Sequence, residues 1–162
     1  MKLPTRKHNR LENYDYSSPN AYFITACTKD RKNLFWSNAD TEKMHSVDIQ
    51  LSALGMVIKN AIEDIPKYYP AVSVDVFTIM PNHIHLLLQI HSDNDGRPIV
   101  APTIATIMQH MKGVATKRIG FSVWQKGYYD HIIRDDFDYQ EIFLYIQGNP
   151  MKWQEDKLFT PS

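Results

Sequence analysis

Two histidines stand one residue apart in the segment "HIHLLLQI" at residues 83–90. In a β-strand the side chains at positions i and i+2 point to the same face, so His83 and His85 would lie side by side. Ile84 and Leu86 would point the other way, into a core. Two imidazoles on one face can form half of a binding site for a divalent metal ion, although buried histidines also serve as ordinary hydrogen-bonding groups.

A second polar pair lies near the C-terminus. Tyr145 and Asn149 are four residues apart in a largely apolar segment, so on a helix they would share one face. Their polar tips are then candidates for a site. The alternative is that Tyr145 packs as an amphipathic side chain and Asn149 caps the helix before Pro150. The spacing alone leaves both interpretations open.

The strands that would hold the histidines are predicted from runs of β-branched and aromatic residues bounded by turn residues. Four strands are predicted, at residues 21–28, 71–80, 83–90 and 129–134. The second and third are separated only by the turn "PN", which predicts a β-hairpin.

Three helices are predicted from apolar residues at spacings of three and four. The first covers residues 41–65 and is ended by Pro66, and the second covers 103–120 with Thr103 as its N-cap. The third covers 136–149 and ends at Pro150, because proline cannot continue a helix. It carries both Tyr145 and Asn149.

The order of these elements predicts an α+β fold of the ferredoxin-like, split βαβ type. Its antiparallel sheet would carry helices on one face, with the 71–90 hairpin near its centre and a C-terminal helix added. His83 and His85 would face either the helix layer or the open face. We expect one domain over residues 1–162, with 1–20 as a basic, turn-rich N-terminal arm.

Composition restricts the class of protein. A chain of 162 residues with 43% apolar residues can build a sizeable core, which excludes a disordered protein. Cys27 is the single cysteine, so a disulfide framework and a cysteine-based zinc site are excluded. With no apolar run as long as a membrane span and no signal-peptide core in "MKLPTRKHNR", we expect a cytoplasmic protein without a membrane partner.

The net charge of zero does not by itself point to nucleic acid, but the charges are unevenly placed. A neutral total can conceal a basic face opposite an acidic one, although solvated surface charges are the simpler interpretation of any one cluster. The basic clusters contain Lys2, Arg6, Lys7, Arg10, Lys29, Arg31, Lys32, Lys112, Lys117, Arg118 and Lys126.

Several blocks of the sequence resemble one family in order. "FTIMPNHIHLLL" and "FLYIQGNPMKW", together with "NYDYSSPNAYFITACTKDRKNLF" and "VWQKGYYDHIIRDD", are similar to the HUH single-tyrosine transposases. These include insertion-sequence transposases and the REP-associated tyrosine transposases. The resemblance covers nearly the whole chain, and the family has the ferredoxin-like core predicted above.

This resemblance implies roles for the four site residues. His83 and His85 match metal ligands, Tyr145 matches the nucleophile, and Asn149 matches the position of a third polar ligand, where many members carry Gln. The implied reaction is cleavage and rejoining of single-stranded DNA through a 5′-phosphotyrosine and a free 3′-hydroxyl. The implied cofactor is a divalent ion, Mg²⁺ or Mn²⁺.

The resemblance also implies recognition of hairpin-forming single-stranded DNA, bound through phosphate charge and aromatic stacking, in a nucleoid-associated protein that is a possible homodimer. The candidate DNA-binding residues are Arg6, Lys7, Arg10, Lys112, Lys117, Arg118 and Lys126.

Two other classes of protein compete with this interpretation. A DNA- or RNA-binding regulator on the same fold would lack catalysis, but all four site positions hold competent residues. A small metal-dependent oxygenase or isomerase could also use two paired histidines, but it would need another ligand and usually a barrel of many strands. The three predicted helices argue against a barrel fold.

Overall fold

The computed structural model describes residues 11–37, 49–92 and 102–161. A four-stranded antiparallel sheet in the order β2-β3-β1-β4 forms its centre. The strands are β1 (Asn20–Cys27), β2 (Val72–Met80), β3 (His83–Ile90) and β4 (Tyr129–Ile132). The helices are α1 (Ala53–Glu63), α2 (Ile65–Tyr68), α3 (Ile104–Ile119) and α4 (Asp136–Gly148). This order of strands and helices confirms the ferredoxin-like α+β prediction.

The two faces of the sheet bury different helices. Ile84, Leu86 and Leu88 of β3 belong to the main core, which they share with apolar residues of α1 and α3. Leu87 points to the opposite face and packs in a smaller cluster with Ile146 of α4. Side chains alternate along a strand, so His83 and His85 lie on the α4 side. The C-terminal helix therefore covers the face that carries the paired histidines.

The first predicted helix was too long at its N-terminal end. Residues 41–48 lie outside the described residues, and α1 begins only at Ala53, with Ser52 as N-cap accepting a hydrogen bond from the Gly55 backbone. Ser52 donates its hydroxyl to the Leu34 carbonyl, and Leu51 forms a bridge with Trp36. These long-range contacts hold residues 49–52 extended, although their apolar spacing suits a helix.

The prediction that Pro66 ends helical structure was wrong. Pro66 lies in the first turn of α2, a position where the missing amide hydrogen breaks no intrahelical bond. The other predicted boundaries agree within two residues, and Thr103 is the N-cap of α3, accepting from the Thr106 amide. That helix ends at Gly120, whose φ of 95° is the left-handed conformation that glycine adopts without strain.

The 71–90 hairpin lies less centrally than predicted, because β3 is an inner strand but β2 is an edge strand. A register shift between Val74 and Val76 leaves Asp75 as a bulge in β2. Its carboxylate accepts a 2.6 Å hydrogen bond from the Tyr139 hydroxyl, which ties α4 to the edge of the sheet. Within the described ranges, no helix is long and apolar enough to span a bilayer.

Candidate active site

The two histidines of β3 face each other inside the protein. Their Nε2 atoms are 3.1 Å apart, and their exposed fractions are 0% for His83 and 3% for His85. His83 Nδ1 lies 2.7 Å from Asn82 Oδ1, which can only accept, so this nitrogen donates and Nε2 carries the lone pair. His85 Nδ1 lies 2.8 Å from the Thr25 hydroxyl on β1. Both rings are thus fixed at Nδ1 and direct Nε2 toward one point.

Burial keeps both imidazoles neutral. It lowers the pKa of His83 to about 4, with the charge of Asp156 opposing the shift. Burial also holds the pKa of His85 well below its ordinary value, and the neighbouring His83 adds to this effect. The neutral imidazole is the form that binds a metal ion.

A carboxylate completes the cluster. Asp156 follows a 3₁₀ segment, Asn149–Glu155, that continues the chain beyond α4. Its side chain is 1% exposed, and its Oδ2 lies 3.6 Å from His83 Nε2. Oδ1 accepts a 2.8 Å hydrogen bond from the Leu158 amide, whereas Oδ2 is buried without a hydrogen-bond partner. Such an orphaned acceptor beside two imidazole nitrogens needs a partner.

The donor set fits a divalent cation. Among the described residues, His83, His85 and Asp156 offer one ligand atom each, and these atoms lie within 4.8 Å of one another. An octahedral ion with bonds of about 2.1 Å brings neighbouring ligand atoms to about 3 Å, close to the 3.1 and 3.6 Å found here. Two imidazoles and a carboxylate suit ions such as Mn²⁺ on ligand grounds.

Tyr145 adjoins this cluster, and Asn149 lies beside Tyr145. The Tyr145 ring lies 5.5 Å from the His85 ring, centroid to centroid, and remains 44% exposed. Asn149 is buried, and its amide nitrogen lacks a hydrogen-bond partner. Burial and the charge of Asp156 raise the pKa of Tyr145, and the adjacent Asn149 side chain opposes that rise. The phenol is therefore reachable from solvent and borders the buried donor set.

Aromatic rings enclose the cluster on two sides. Phe23 of β1 stacks on His85 at 5.2 Å and meets the Tyr145 ring edge-on at 6.1 Å. On the other side, Trp153 of the 3₁₀ segment lies 6.0 Å from His83. These rings limit water around the imidazoles, so charges within the cluster act in a low dielectric.

Sequence reasoning missed Asp156 because helical spacing connects only residues on one helix. The 3₁₀ segment Asn149–Glu155 carries the chain back across the end of β3, where the Leu158 carbonyl accepts a 2.7 Å hydrogen bond from Asn82. Acidic residues are frequent beyond Asp130, and no motif distinguishes Asp156 among them. Asp156 is identified only by the path of the folded chain, which brings it back to the histidines.

Comparison with known proteins identifies the family. The profile described as "Transposase IS200 like" matches residues 17–149, which include both histidines, Tyr145 and Asn149. The chain belongs to the IS200-like transposase family. This confirms the resemblance and supports a transposase function for the chain.

Two relatives of this IS200-like transposase come from Haemophilus influenzae. One, an uncharacterized protein, is 35% identical over 174 residues, covering 96% of this chain and 93% of the relative. The other, a putative REP-associated tyrosine transposase, is 24% identical and covers 88% of this chain and 77% of the relative. Among solved structures, a REP-associated tyrosine transposase bound to a REP hairpin aligns with a TM-score of 0.64 at 19% identity. The aligned region covers 88% of this chain and 73% of the other chain, and the two proteins have the same fold.

Four of the seven predicted DNA-binding residues of the transposase lie among the described residues. Arg6, Lys7 and Arg10 lie outside the described residues. Lys112 is half-buried and donates to the carbonyls of Gln125 and Gly127 at 3.0 and 2.7 Å. Burial lowers its pKa.

The remaining basic residues differ in their partners. Arg118 is paired with Asp64 at 3.1 Å, whereas Lys117 and Lys126 are exposed. The structure therefore gives Lys112 and Arg118 protein partners, and a role for them in DNA binding stays a prediction.

Proposed function

We propose that this transposase is a metal-dependent endonuclease and ligase of single-stranded DNA, with Tyr145 as its nucleophile. One observation carries the proposal: the half-exposed phenol of Tyr145 borders a buried cluster of two neutral imidazoles and an orphaned carboxylate. Attack on a phosphodiester requires a nucleophile that the substrate can reach and a set of ligands that can hold a metal ion.

Cleavage transfers one phosphoryl linkage to the protein. The Tyr145 oxygen attacks a backbone phosphorus, the phenolic proton is released, and the bond from phosphorus to the 3′-oxygen of the preceding nucleotide breaks. The products are a 5′-phosphotyrosine and a strand ending in a 3′-hydroxyl. Attack by a 3′-hydroxyl on the phosphotyrosine reverses these bond changes and rejoins DNA. The number of phosphoester bonds is unchanged, so no nucleotide cofactor is needed.

His83, His85 and Asp156 are the residues that would hold the divalent ion, with Mg²⁺ and Mn²⁺ as the proposed ions. The bound ion would polarise the phosphoryl oxygens as a Lewis acid. Asn82 and Thr25 orient the two imidazoles through Nδ1. Asn149 is buried beside Tyr145, where it would hold the phenol in place or contribute a further oxygen ligand.

The proposed substrate is a single strand that carries a hairpin. The support is the family together with the related transposase that was solved bound to a REP hairpin. We also propose that the site works within one chain, because Tyr145 already lies next to His85 of its own chain. Assembly into a homodimer would then not be needed to complete the site.

The test is incubation of the protein with hairpin-bearing single-stranded oligonucleotides in Mg²⁺ or Mn²⁺. We expect a covalent protein–DNA adduct and a released fragment with a 3′-hydroxyl, both abolished by EDTA. His85→Ala should abolish cleavage and still bind the hairpin. Hairpin binding without any adduct under these conditions would instead identify a regulator on the transposase fold. Cleavage that persists in EDTA would remove the metal from the proposal.

A further inference from the structure

A basic cavity is built on the segment that follows β1, the strand that pairs with the histidine strand β3. Its volume is about 600 Å³, and Lys29, Arg31, Trp124 and Lys126 are among the residues that line it. Two segments build it: the 3₁₀ turn Lys29–Arg31 that follows β1, and the extended chain at 122–126. The Lys29 amide donates to the Val123 carbonyl at 2.9 Å, so the two walls are joined by backbone. We call this feature the Lys29 cavity.

The charge of the Lys29 cavity favours an anion. Lys29, Arg31 and Lys126 are exposed, and the lining contains one carboxylate, Asp30. Within the described parts of the chain, none of these three cations lies within 4.0 Å of a carboxylate oxygen. On the helix layer, by contrast, three cations are paired with carboxylates. Those pairs are Lys59 with Glu63, and Lys67 and Arg118 with Asp64.

Hydrogen bonds from Lys112 hold the 122–126 wall of the cavity in place. Lys112 donates to the carbonyls of Gln125 and Gly127, and its ammonium lies 5.7 Å from the centre of the Trp124 ring. Asp30 and Arg31 hold positive φ angles of 56° and 52°, which are uncommon for residues other than glycine. Their backbone therefore turns sharply at the cavity edge. The basic side chains project from an anchored framework rather than from a free loop.

Hydrogen bonds connect this framework to the histidine pair. Asn82 donates to the Arg31 carbonyl at 3.5 Å through its amide nitrogen, and its Oδ1 faces His83 Nδ1 at 2.7 Å. Cys27, at the end of β1, pairs in register with His83, and its carbonyl accepts from the Gln125 amide at 2.9 Å. The framework of the Lys29 cavity is thus joined to the histidine pair by hydrogen bonds and by strand pairing.

We propose that the Lys29 cavity binds a backbone phosphate in the single-stranded segment that adjoins the cleaved phosphodiester. This inference rests on the proposed function, since it assigns part of the same DNA strand. Arg31 can form paired hydrogen bonds to phosphate oxygens, and the two lysines add point charges. We expect the cavity to prefer single-stranded over duplex DNA. A flexible single strand can place a phosphate inside the recess, whereas the stiffer backbone of a duplex cannot bend into it.

The test compares two variants that each remove three positive charges. Lys29, Arg31 and Lys126 are changed to Gln in the cavity variant. Lys59, Lys67 and Arg134, which are not among the predicted DNA-binding residues, are changed to Gln in the control. Binding is measured by fluorescence anisotropy between about 50 and 200 mM salt, with a labelled DNA hairpin that has a single-stranded flank and with the same hairpin lacking it. Circular dichroism verifies that both variants are folded.

We expect the cavity variant to bind more weakly than the parent only to the flanked hairpin. Its slope of log K against log salt should fall by about 0.7, the value for one phosphate on a single strand that the protein no longer neutralises. The control variant should keep the parent slope, and a variant carrying Lys29→Arg and Lys126→Arg should keep the parent affinity. Equal slopes in the cavity variant and the parent, or an equally weakened affinity for both hairpins, would overturn the proposal.

The outcome separates this inference from the proposed function. If the parent protein forms the tyrosine adduct while the cavity variant binds the flanked hairpin normally, the cavity proposal alone fails. If the cavity variant no longer shows flank-dependent binding but the parent forms no adduct, the cavity proposal stands and cleavage fails. A parent protein that binds neither hairpin overturns both.

Discussion

Asp156 Oδ2 lies 3.6 Å from His83 Nε2, and neither side chain is more than 1% exposed. The two residues come from the central strand and from the segment that follows the last helix, so the fold itself brings them together. A buried carboxylate oxygen without a hydrogen-bond partner is costly unless a cation or donor satisfies it. The contact therefore identifies the C-terminal segment as part of the proposed metal site.

Asp156→Asn should weaken binding of the metal without unfolding the protein. The change keeps the size of the side chain and removes the negative charge, so the affinity for Mn²⁺ should fall by at least about 10-fold, the lower end seen for supporting groups. Saturation at about 100 times Kd should stabilise the parent by about 2.7 kcal/mol and the variant by less. Thermal unfolding with and without Mn²⁺ measures this difference.

Glu155→Gln is the matched control, because Glu155 is the preceding residue, is exposed and lies outside the donor cluster. It should respond to Mn²⁺ as the parent does. If both variants are stabilised by Mn²⁺ as strongly as the parent, Asp156 is not a ligand, and its unpaired oxygen has another explanation.

Asn149→Ala should raise the metal concentration needed for cleavage by about 10- to 100-fold, the range found for supporting groups around metal sites. The reason is that Asn149 is buried beside Tyr145 with its amide nitrogen unpaired, which is unusual for a residue that serves only as a helix cap. Adduct yield against Mg²⁺ concentration is the measurement. An unchanged titration curve would return Asn149 to the role of a cap between α4 and the 3₁₀ segment.

Local spacing predicted which polar residues share a face, whereas the family resemblance implied their roles. Alternation in β3 places His83 and His85 on one face, and the i, i+4 relation places Tyr145 beside Asn149, because both rules depend only on neighbours in the chain. Asp156 could not be predicted in this way, since its position depends on the path taken after Pro150. The same reason explains residues 49–52, where Leu51 pairs with Trp36 and overrides a helical pattern.

The charged residues show a second limit of sequence reasoning. Lys112, Lys117 and Arg118 are among the predicted DNA-binding residues, but charge alone does not reveal the partner of a side chain. Lys112 donates hydrogen bonds to two backbone carbonyls and Arg118 forms an ion pair with Asp64, whereas Lys126 is exposed at the Lys29 cavity. Partners that are distant in sequence decide which cations remain available for DNA.

Asp138→Asn should reduce stability at neutral pH and make stability less sensitive to acid. Asp138 accepts a 3.0 Å hydrogen bond from the Arg134 amide and lies 2.8 Å from His131, and these contacts lower its pKa below the ordinary 3.8, the Arg134 contact most. A lowered pKa in the folded state stabilises the protein above the unfolded value, and this stabilisation disappears as the pH falls through the folded pKa.

Melting temperatures of this variant and the parent, measured from about pH 7 to about pH 3, test the linkage. The difference should be largest near neutrality and should shrink below about pH 4. Asp136→Asn, an exposed neighbour on the same turn, is the control and should show a smaller difference. A difference that stays constant over the whole range would mean that the Asp138 charge does not contribute to the stability of α4.

Two tyrosines of α4 differ in how they are used, and this difference predicts which one attacks DNA. Tyr139 donates its hydroxyl to Asp75 at 2.6 Å, and burial together with that hydrogen bond raises its pKa to about 12. Its oxygen is already engaged in holding α4 on the edge strand. Tyr145 is 44% exposed beside His85 and adjoins Asn149. Tyr145 is therefore the tyrosine that a DNA strand can reach.

Tyr145→Phe should abolish both cleavage and the covalent adduct, because it deletes the attacking oxygen and keeps the ring that packs against Phe23 and His85. Hairpin binding should be unchanged. Tyr139→Phe leaves Asp75 Oδ2 without its donor, while Ser73 still donates to Oδ1. The variant should lose about 1–3 kcal/mol of stability and still form the adduct. Mass spectrometry of the DNA-linked peptide decides between them, and an adduct on any tyrosine other than Tyr145 would refute the assignment of the nucleophile.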